Sequence, residues 1–113
     1  MEVIRRKEAK KTERKVWFDK LFTVGPSRET QIMRVVVEPG ARSPLEGVGN
    51  HQAEYDYVVR GTTVMDIGGE RVSLSAGDIV YIPSGVDHVG YNETGEDVEI
   101  LTVVIEDRET GAR

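Results

Sequence analysis

From residue 30 onward, the chain alternates short apolar, β-branched runs with clusters of turn-forming residues. The runs at 54–61 and 98–107 predict strands, because β-branched and aromatic residues suit a pleated, half-buried surface. The run at 62–78 predicts a β-hairpin, since Gly68 and Gly69 supply the positive φ angles of a tight turn. Beyond the first twenty residues no long window follows the 3.6-residue period of a helix. Short strands at a spacing of about 8–12 residues predict an all-β sandwich or barrel.

The composition fits one domain of modest size. The chain has 113 residues, of which 38% are hydrophobic and 31% charged, as is typical of a globular protein in water. No apolar run approaches the roughly 18 residues of a membrane span, and the charged start has no secretory signal, so we expect a cytoplasmic protein. Because the chain has no cysteine, nitrogen and oxygen ligands must hold any metal.

Charge is distributed unevenly along the chain. The first 20 residues hold eight Lys/Arg against four Asp/Glu, whereas the whole chain has a net charge of −5. A basic arm can contact nucleic acid, but no aromatic residue or glycine interleaves the basic run at 5–15. We therefore favour a segment that pairs with the acidic body or with a second subunit. This divides the chain into a basic N-terminal segment or strand (1–22), a main domain (23–108) and a frayed tail (109–113).

One stretch carries a specific spacing of glycine, proline, histidine and asparagine. It runs from Gly77 to Asn92 as G-x5-P-x-G-x2-H-x3-N, with Pro83, Gly85 and His88 at the fixed positions. This resembles the second conserved motif of the cupin family, with no departure from the pattern. The resemblance implies a double-stranded β-helix, or jelly-roll, barrel in the main domain, with His88 lining its pocket. Strand alternation agrees, because it places His88 and Asn92 on the same face.

The first cupin motif is present only in part. Its pattern is G-x5-H-x-H-x3,4-E-x6-G, and this chain keeps its end as Glu54 and Gly61. Neither histidine stands in its place; the positions counted from either end hold residues such as Glu46, Val48 and Asn50. His51 lies nearby, but three residues before Glu54, and on a regular strand that separation puts the two side chains on opposite faces. A changed loop could still turn His51 inward.

We therefore predict a displaced metal site made of His51, Glu54 and His88. Two histidines and one carboxylate suit a divalent transition metal such as Fe, Mn, Ni or Zn, and leave positions open for a substrate. If His51 points outward, Gln52, Asn50 or Glu46 is left to complete the site with an oxygen. The opposing interpretation is a pocket that has lost its metal.

Other residues near this stretch are candidates for chemistry or ligand binding. Asp56 shares the face of Glu54, where a second carboxylate can raise the pKa of its neighbour and act with it as an acid or base. The alternative is that Asp56 forms a structural ion pair with Arg34 or Arg60. Asn92, Tyr91 and Gln52 are the predicted ligand-pocket residues. Tyr55, Tyr57 and Tyr81 are expected to pack between sheets or at a dimer seam.

Three classes of function remain open. The resemblance implies first a metal-dependent enzyme on a small oxygen-bearing substrate, of the dioxygenase, isomerase, lyase or decarboxylase type. Loss of the two motif histidines favours instead a metal-free module that binds a sugar or another small molecule without catalysis. The third class is a structural dimer or a nucleic-acid accessory that uses the basic arm. In every case the resemblance and an unpaired strand edge favour a homodimer, with no membrane partner.

Overall fold

A computed structural model describes residues 10–11, 16–18, 22–23, 31–43, 46–47 and 52–106. These residues form strands and turns, and none of them is helical. The strands are β1 (Lys10–Lys11), β2 (Val16–Phe18), β3 (Phe22–Thr23), β4 (Gln31–Val37), β5 (Glu46–Gly47), β6 (Gln52–Arg60), β7 (Thr62–Ile67), β8 (Glu70–Ser75), β9 (Ile79–Ile82), β10 (Asp87–Tyr91) and β11 (Val98–Glu106).

The strands pair into two antiparallel sheets. The larger sheet has the order β1-β2-β4-β11-β6-β9, with β3 also paired to β4. The smaller sheet has the order β5-β10-β7-β8. Two long strands at the centre of the larger sheet, β6 and β11, are paired from Gln52 to Arg60, with one irregularity at Glu99/Ile100. The all-β prediction is confirmed, whereas the strands described here form two sheets, so their closure into a barrel stays a prediction.

Glycines with positive φ make the two turns at either end of β7. Gly68 and Gly69, with φ angles of 55° and 88°, join β7 to β8, which confirms the predicted hairpin. Gly61 has a φ of 85° and joins β6 to β7. A Cβ atom there would lie 2.7 Å from the carbonyl oxygen of Asp97, which no side chain tolerates. Gly61 therefore lets β6 turn directly into the other sheet.

Two apolar clusters fill the space between the sheets. Val35, Val37, Val98 and Ile100 form one cluster on β4 and β11. Val58, Met65 and Leu74 form the other, which links β6 of the larger sheet to β7 and β8 of the smaller one. Burial of these side chains contributes about 1.5–3 kcal/mol for each large aliphatic group. The two clusters fix the separation of the sheets and leave room between them for a cavity.

Parts of the predicted organisation lie outside the described residues. In the basic segment (1–22), β1 pairs with β2 and β2 pairs with β4, so this segment adds strands to the larger sheet. The tail (109–113) is not among the described residues. None of the described residues belongs to a helix long and apolar enough to cross a membrane.

Candidate metal centre

Strand β6 carries two carboxylates into the space between the sheets. Its side chains alternate, so that Glu54, Asp56 and Val58 are buried while Tyr55 and Tyr57 are exposed. The neighbours β9 and β11 cover both edges of β6 with ladder hydrogen bonds. Hydrogen bonding on both sides holds the two carboxylates at a fixed depth, which a loop would not do.

Strand β10 brings a histidine from the opposite sheet. His88 pairs across the ladder with Ile67 of β7 and with Glu46 of β5. Its Nε2 lies 3.0 Å from Oε2 of Glu54, and the two side chains are only 7% and 8% exposed. A pair this deeply buried is stabilising only when its hydrogen bonds are well made. The His88–Glu54 contact thus joins the two sheets through polar atoms.

Asp56 is positioned by a threonine on the neighbouring strand. Thr102 lies opposite Asp56 in the β6–β11 ladder, and its hydroxyl donates a 2.9 Å hydrogen bond to Oδ1 of Asp56. Both residues are buried. Arg60, one of the two arginines considered as an ion-pair partner, instead lies 3.8 Å from Asp97. The structure therefore favours the interpretation of Asp56 as the second carboxylate of a pair.

The two carboxyl groups have opposite pKa shifts. Burial, together with the hydrogen bond and the negative charge of Glu54, raises the pKa of Asp56 from 3.8 to about 8, against the hydrogen bond from Thr102 and the charge of His88. Burial also raises the pKa of Glu54, but hydrogen bonds to His88 and Asp56 outweigh it, so the net pKa lies below its usual value. These opposite shifts favour a proton that Asp56 holds and shares with an ionised Glu54. The sequence had left a perturbed carboxylate pair and an ion pair of Asp56 with an arginine equally open.

These three residues fit a divalent metal. One ligand atom each from Glu54, Asp56 and His88 lies within 4.8 Å of the others, and all three residues are buried. Two carboxylates and an imidazole are a donor set that suits Mn²⁺, Fe²⁺ or Zn²⁺. Binding would require Asp56 to release its proton, because a coordinating carboxylate must be ionised. Among the described residues the third candidate ligand is thus Asp56, whereas the sequence prediction has His51 in that role.

A cavity of about 40 Å³ adjoins the three residues. On this scale a single water needs roughly 10–15 Å³, so the cavity has room for an ion and a small polar group. Its wall contains residues of both sheets, in addition to Glu54, Asp56 and His88: Met33, Val35, Val37, Ser43, Met65, Gly90, Ile100 and Thr102. A buried cavity beside a cluster of ionisable groups is the expected place for a ligand.

Two of the predicted site residues come shortly before Glu54 in the sequence. His51 lies outside the described residues, so its predicted role as a ligand stays a prediction. Gln52 is half-buried, and by alternation it shares the face of Glu54, but it is not among the residues that line the cavity. Gln52 pairs with Glu106 at the far end of β11. Gln52 thus lies two residues before Glu54 on β6.

Asn92 and Tyr91 do not line the cavity. The amide nitrogen of Asn92 donates to the carbonyl oxygens of Val37 and Glu96, and its side-chain oxygen accepts from the backbone and hydroxyl of Thr94. These bonds use the side chain to tie the 92–96 turn to β4. Tyr91 is on the face of β10 opposite His88, where the guanidinium of Arg71 lies 5.4 Å from its ring centre. The same-face argument for Asn92 fails because the chain leaves β10 at Tyr91.

Ser43, Gly90 and Thr102 line the cavity, and sequence reasoning missed them. The Ser43 hydroxyl accepts from the backbone N–H of Gly90 at 2.8 Å, which pins the segment after β4 onto β10. Gly90 had a signal in the sequence, since it stands two residues after His88 and so shares its face. Thr102 had none, because only the register of β11 against β6 brings it to Asp56.

The cupin domain model matches residues 33–104 of this chain. Among curated proteins, the chain is 36% identical over 73 residues to "Xanthan biosynthesis protein XanB" of Xanthomonas campestris pv. campestris, a match that covers 65% of this chain and 15% of XanB. It is 31% identical over 74 residues to "Oxalate-binding protein" of Thermotoga maritima, covering 64% of this chain and 59% of that protein. The chain thus spans only part of the length of these relatives.

The fold agrees with solved cupin structures. The structure of KdgF from Halomonas sp. superposes with a TM-score of 0.75 over 96% of both chains, at 19% identity. That identity is too low to carry more than the fold. The family match covers more than half of the chain and includes β5 through β10 with the three ionisable residues. This chain is a member of the cupin family.

Proposed function

We propose that this chain is a metal-dependent cupin that acts on a small oxygen-bearing substrate. The observation that carries the proposal is the buried group of Glu54, Asp56 and His88, with ligand atoms within 4.8 Å of one another beside a cavity. A bound divalent metal would supply a Lewis acid that polarises a substrate oxygen. The metal, and whether the reaction is an oxygenation, isomerisation, elimination or decarboxylation, are left to experiment.

Each of the three residues has a distinct task in this proposal. Glu54 and His88 hold the ion from opposite sheets, so the pairing of the sheets sets the size of the site. Asp56 holds a proton at its carboxyl group in the absence of the ion and is oriented by Thr102. A carboxyl group with a pKa near working pH is suited to move a proton to or from a substrate oxygen. The apolar wall excludes water from that transfer.

A metal-free binding module is the second candidate. It is favoured by the 3.0 Å contact between Nε2 of His88 and Oε2 of Glu54, which pairs these two atoms without an ion. One relative is named an oxalate-binding protein, which is consistent with binding as a function of the fold. In this case the carboxyl proton of Asp56 would be a hydrogen-bond donor for a neutral ligand.

The proposal is tested by metal content and by metal-dependent stability. We expect about one equivalent of divalent metal in the wild type, and a melting temperature that rises with added Zn²⁺ or Mn²⁺ because the ion binds the native state. His88→Ala and Glu54→Gln should each lower metal affinity at least 100-fold, more than the 10–100-fold typical of losing an outer-shell partner. Asp87→Asn, exposed and next to His88, is the matched control and should bind like the wild type.

His51→Ala separates the sequence prediction from the structural one. If His51 is a ligand, its loss lowers metal affinity as much as the loss of His88. If Asp56 is the third ligand, Asp56→Asn has that effect and His51→Ala has none. No metal in the wild type after loading with several divalent ions contradicts the proposal and favours the metal-free module.

A homodimer is the assembly that we propose. Strand β9 stands at one end of the larger sheet, and the outer face beside it exposes Tyr55, Ile79 and Tyr81. Contiguous apolar surface at a sheet edge favours pairing with another chain. A mass of twice 12.6 kDa by light scattering is expected. A monomer at high concentration would contradict it.

A further inference from the structure

The cavity beside the three ionisable residues is mostly apolar. Five of its wall residues, on β4, β7 and β11, offer only aliphatic or thioether atoms: Met33, Val35, Val37, Met65 and Ile100. The other polar wall residues are Ser43 and Thr102, apart from Glu54, Asp56 and His88, which are called the triad below. A ligand would therefore meet the triad at one end and hydrocarbon over most of the remaining wall.

The two hydroxyl groups in the wall already have partners. Ser43 accepts from the N–H of Gly90 and lies 3.4 Å from the Gly90 carbonyl oxygen as a donor. Thr102 donates to Asp56. A sugar would thus bury several hydroxyl groups for which this wall offers few partners. Each buried polar group without a hydrogen bond costs about 1–3 kcal/mol in proteins, so this cavity disfavours polyhydroxylated ligands.

Gly90 leaves part of the cavity open. It is buried on β10, two residues after His88 and on the same inward face. A Cβ atom there would lie 3.6 Å from Oγ1 of Thr63 and 3.7 Å from Cε of Met65 and Oγ of Ser43, which are ordinary contact distances. Its φ angle is not among the positive ones. Alanine therefore fits at this position, and its methyl group would enter space that the glycine leaves to a ligand.

We propose that the cavity takes a compact ligand with one oxygen-bearing end at the triad and an apolar remainder of a few carbons, and that Gly90 is the residue that sets the length of that remainder. This deepens the proposed function and rests on it for the oxygen-bearing end. The apolar part rests on the wall residues alone, which makes the two separately testable.

Two homologous series of probes measure the apolar subsite. Straight-chain carboxylates from acetate to hexanoate are titrated into Zn²⁺-loaded protein, and primary alcohols from methanol to pentanol into protein kept in chelator. Calorimetry or ligand-dependent melting gives the affinities, with mannose and glucose as polyhydroxylated probes. Affinity should rise about fourfold for each added methylene, the value expected for burial of one CH₂ group, up to a sharp length limit. The sugars should bind more weakly than the best short-chain probe.

Gly90→Ala tests the role of the glycine, with Gly95→Ala as its matched control. Gly95 is exposed in the 92–96 turn, has nothing within 4 Å of an added Cβ, and has no positive φ. In both series, Gly90→Ala should shorten the longest chain that still binds by about one carbon. It should lower the affinity for the longest probe that the wild type binds at least tenfold, with Zn²⁺ affinity unchanged. Gly95→Ala should behave like the wild type.

The outcomes separate this inference from the proposed function. The inference would be overturned, with the metal site left in place, if Zn²⁺ binds but probe affinity does not depend on chain length. Sugars binding as well as the short-chain probes, or equal effects of the two glycine variants, would overturn it too. Absence of Zn²⁺ binding, with the alcohol series still showing a limit that Gly90→Ala shortens, would overturn the proposed function and support the apolar subsite.

Discussion

The inner and outer faces of β6 and β9 differ in which kinds of side chain they bury and expose. The inner face of β6 carries Glu54 and Asp56, both buried, whereas its outer face carries Tyr55 and Tyr57, about 40% exposed. On β9, Ile82 is fully buried and Ile79 is 62% exposed. A simple hydrophobic-inside arrangement would not place two carboxylates between the sheets. The contrast supports the proposed metal site, since burying two acids is costly unless they are paired or hold an ion.

The outer face contributes less to the stability of the single chain. Its residues retain much of their contact with water, so removing them forfeits little burial. The inner face has the opposite property, because side chains such as Glu54, Asp56 and Ile82 are buried. Substitutions of buried and of exposed residues should therefore differ in effect, and four predictions follow in order of decreasing size.

Ile82→Ala and Ile79→Ala make the same chemical change on the two faces of β9. Ile82→Ala should lower the free energy of unfolding by about 2–5 kcal/mol, because it leaves a cavity in a closely packed interior. Ile79→Ala should change it by less than about 0.5 kcal/mol. Urea denaturation of both variants measures the difference. Equal effects would mean that the outer face is buried in the assembled protein.

Asp56→Asn should remove a pH dependence of stability. In chelator, the pKa of Asp56 is raised in the folded state to about 8 from 3.8, so its stabilising contribution is complete below the lower value and is lost as pH rises through the higher one. The free energy of unfolding should fall by up to about 1.4 kcal/mol per pH unit between about pH 4 and 8, and the melting temperature should fall with it.

The amide of Asp56→Asn cannot ionise, so the melting temperature of this variant should change less with pH over this range. Asp87→Asn, on the exposed side of β10, should retain the slope of the wild type. Glu54 contributes with the opposite sign, because its pKa is lowered and its stabilisation is lost as pH falls. A wild type whose stability does not decrease toward pH 9 would contradict the shared proton.

Asn92→Ala distinguishes a structural asparagine from a ligand-binding one. Its amide satisfies the carbonyl oxygens of Val37 and Glu96, so the substitution should cost about 1–3 kcal/mol of stability. Metal affinity should stay within twofold of the wild type, because the side chain does not line the cavity. Calorimetric titration with Zn²⁺ at low temperature checks this. A large loss of Zn²⁺ affinity in a folded variant would show that Asn92 contributes to the ligand pocket, as the sequence analysis predicts.

Tyr81→Leu should have the smallest effect on stability of the four predictions. The rings of Tyr55 and Tyr81 lie 5.1 Å apart in a tilted arrangement on the outer face. Replacing one ring with an aliphatic group should cost about 0.5–1.5 kcal/mol, the usual value of such a pair. Tyr57→Leu is the control, since Tyr57 is similarly exposed and forms no ring pair within the described residues. Indistinguishable melting temperatures would show that the ring pair is not stabilising here.

Part of this site was predictable because it depends on short-range patterns. Strand alternation put Glu54 and Asp56 on one face, and the motif spacing marked His88 as inward. Of the two placements expected for Tyr55, Tyr57 and Tyr81, the one between the sheets was wrong, since all three are exposed on the outer face. Their placement at a dimer seam stays a prediction. Parity alone gives which residues share a face, and it does not say which face is inside when both carry apolar groups.

The sequence by itself determined the strands, the Gly68-Gly69 turn and the family, because alternation and turn chemistry depend on residues close in the chain. Only the tertiary structure decided which groups meet. Thr102 reaches Asp56 through the register of two strands 46 residues apart, and His88 reaches Glu54 from the other sheet. Those contacts depend on the depth of the core clusters and on pairings between distant segments, which no local pattern encodes. The same depth raises the pKa of Asp56 and turns a pair of acidic residues into a candidate metal centre.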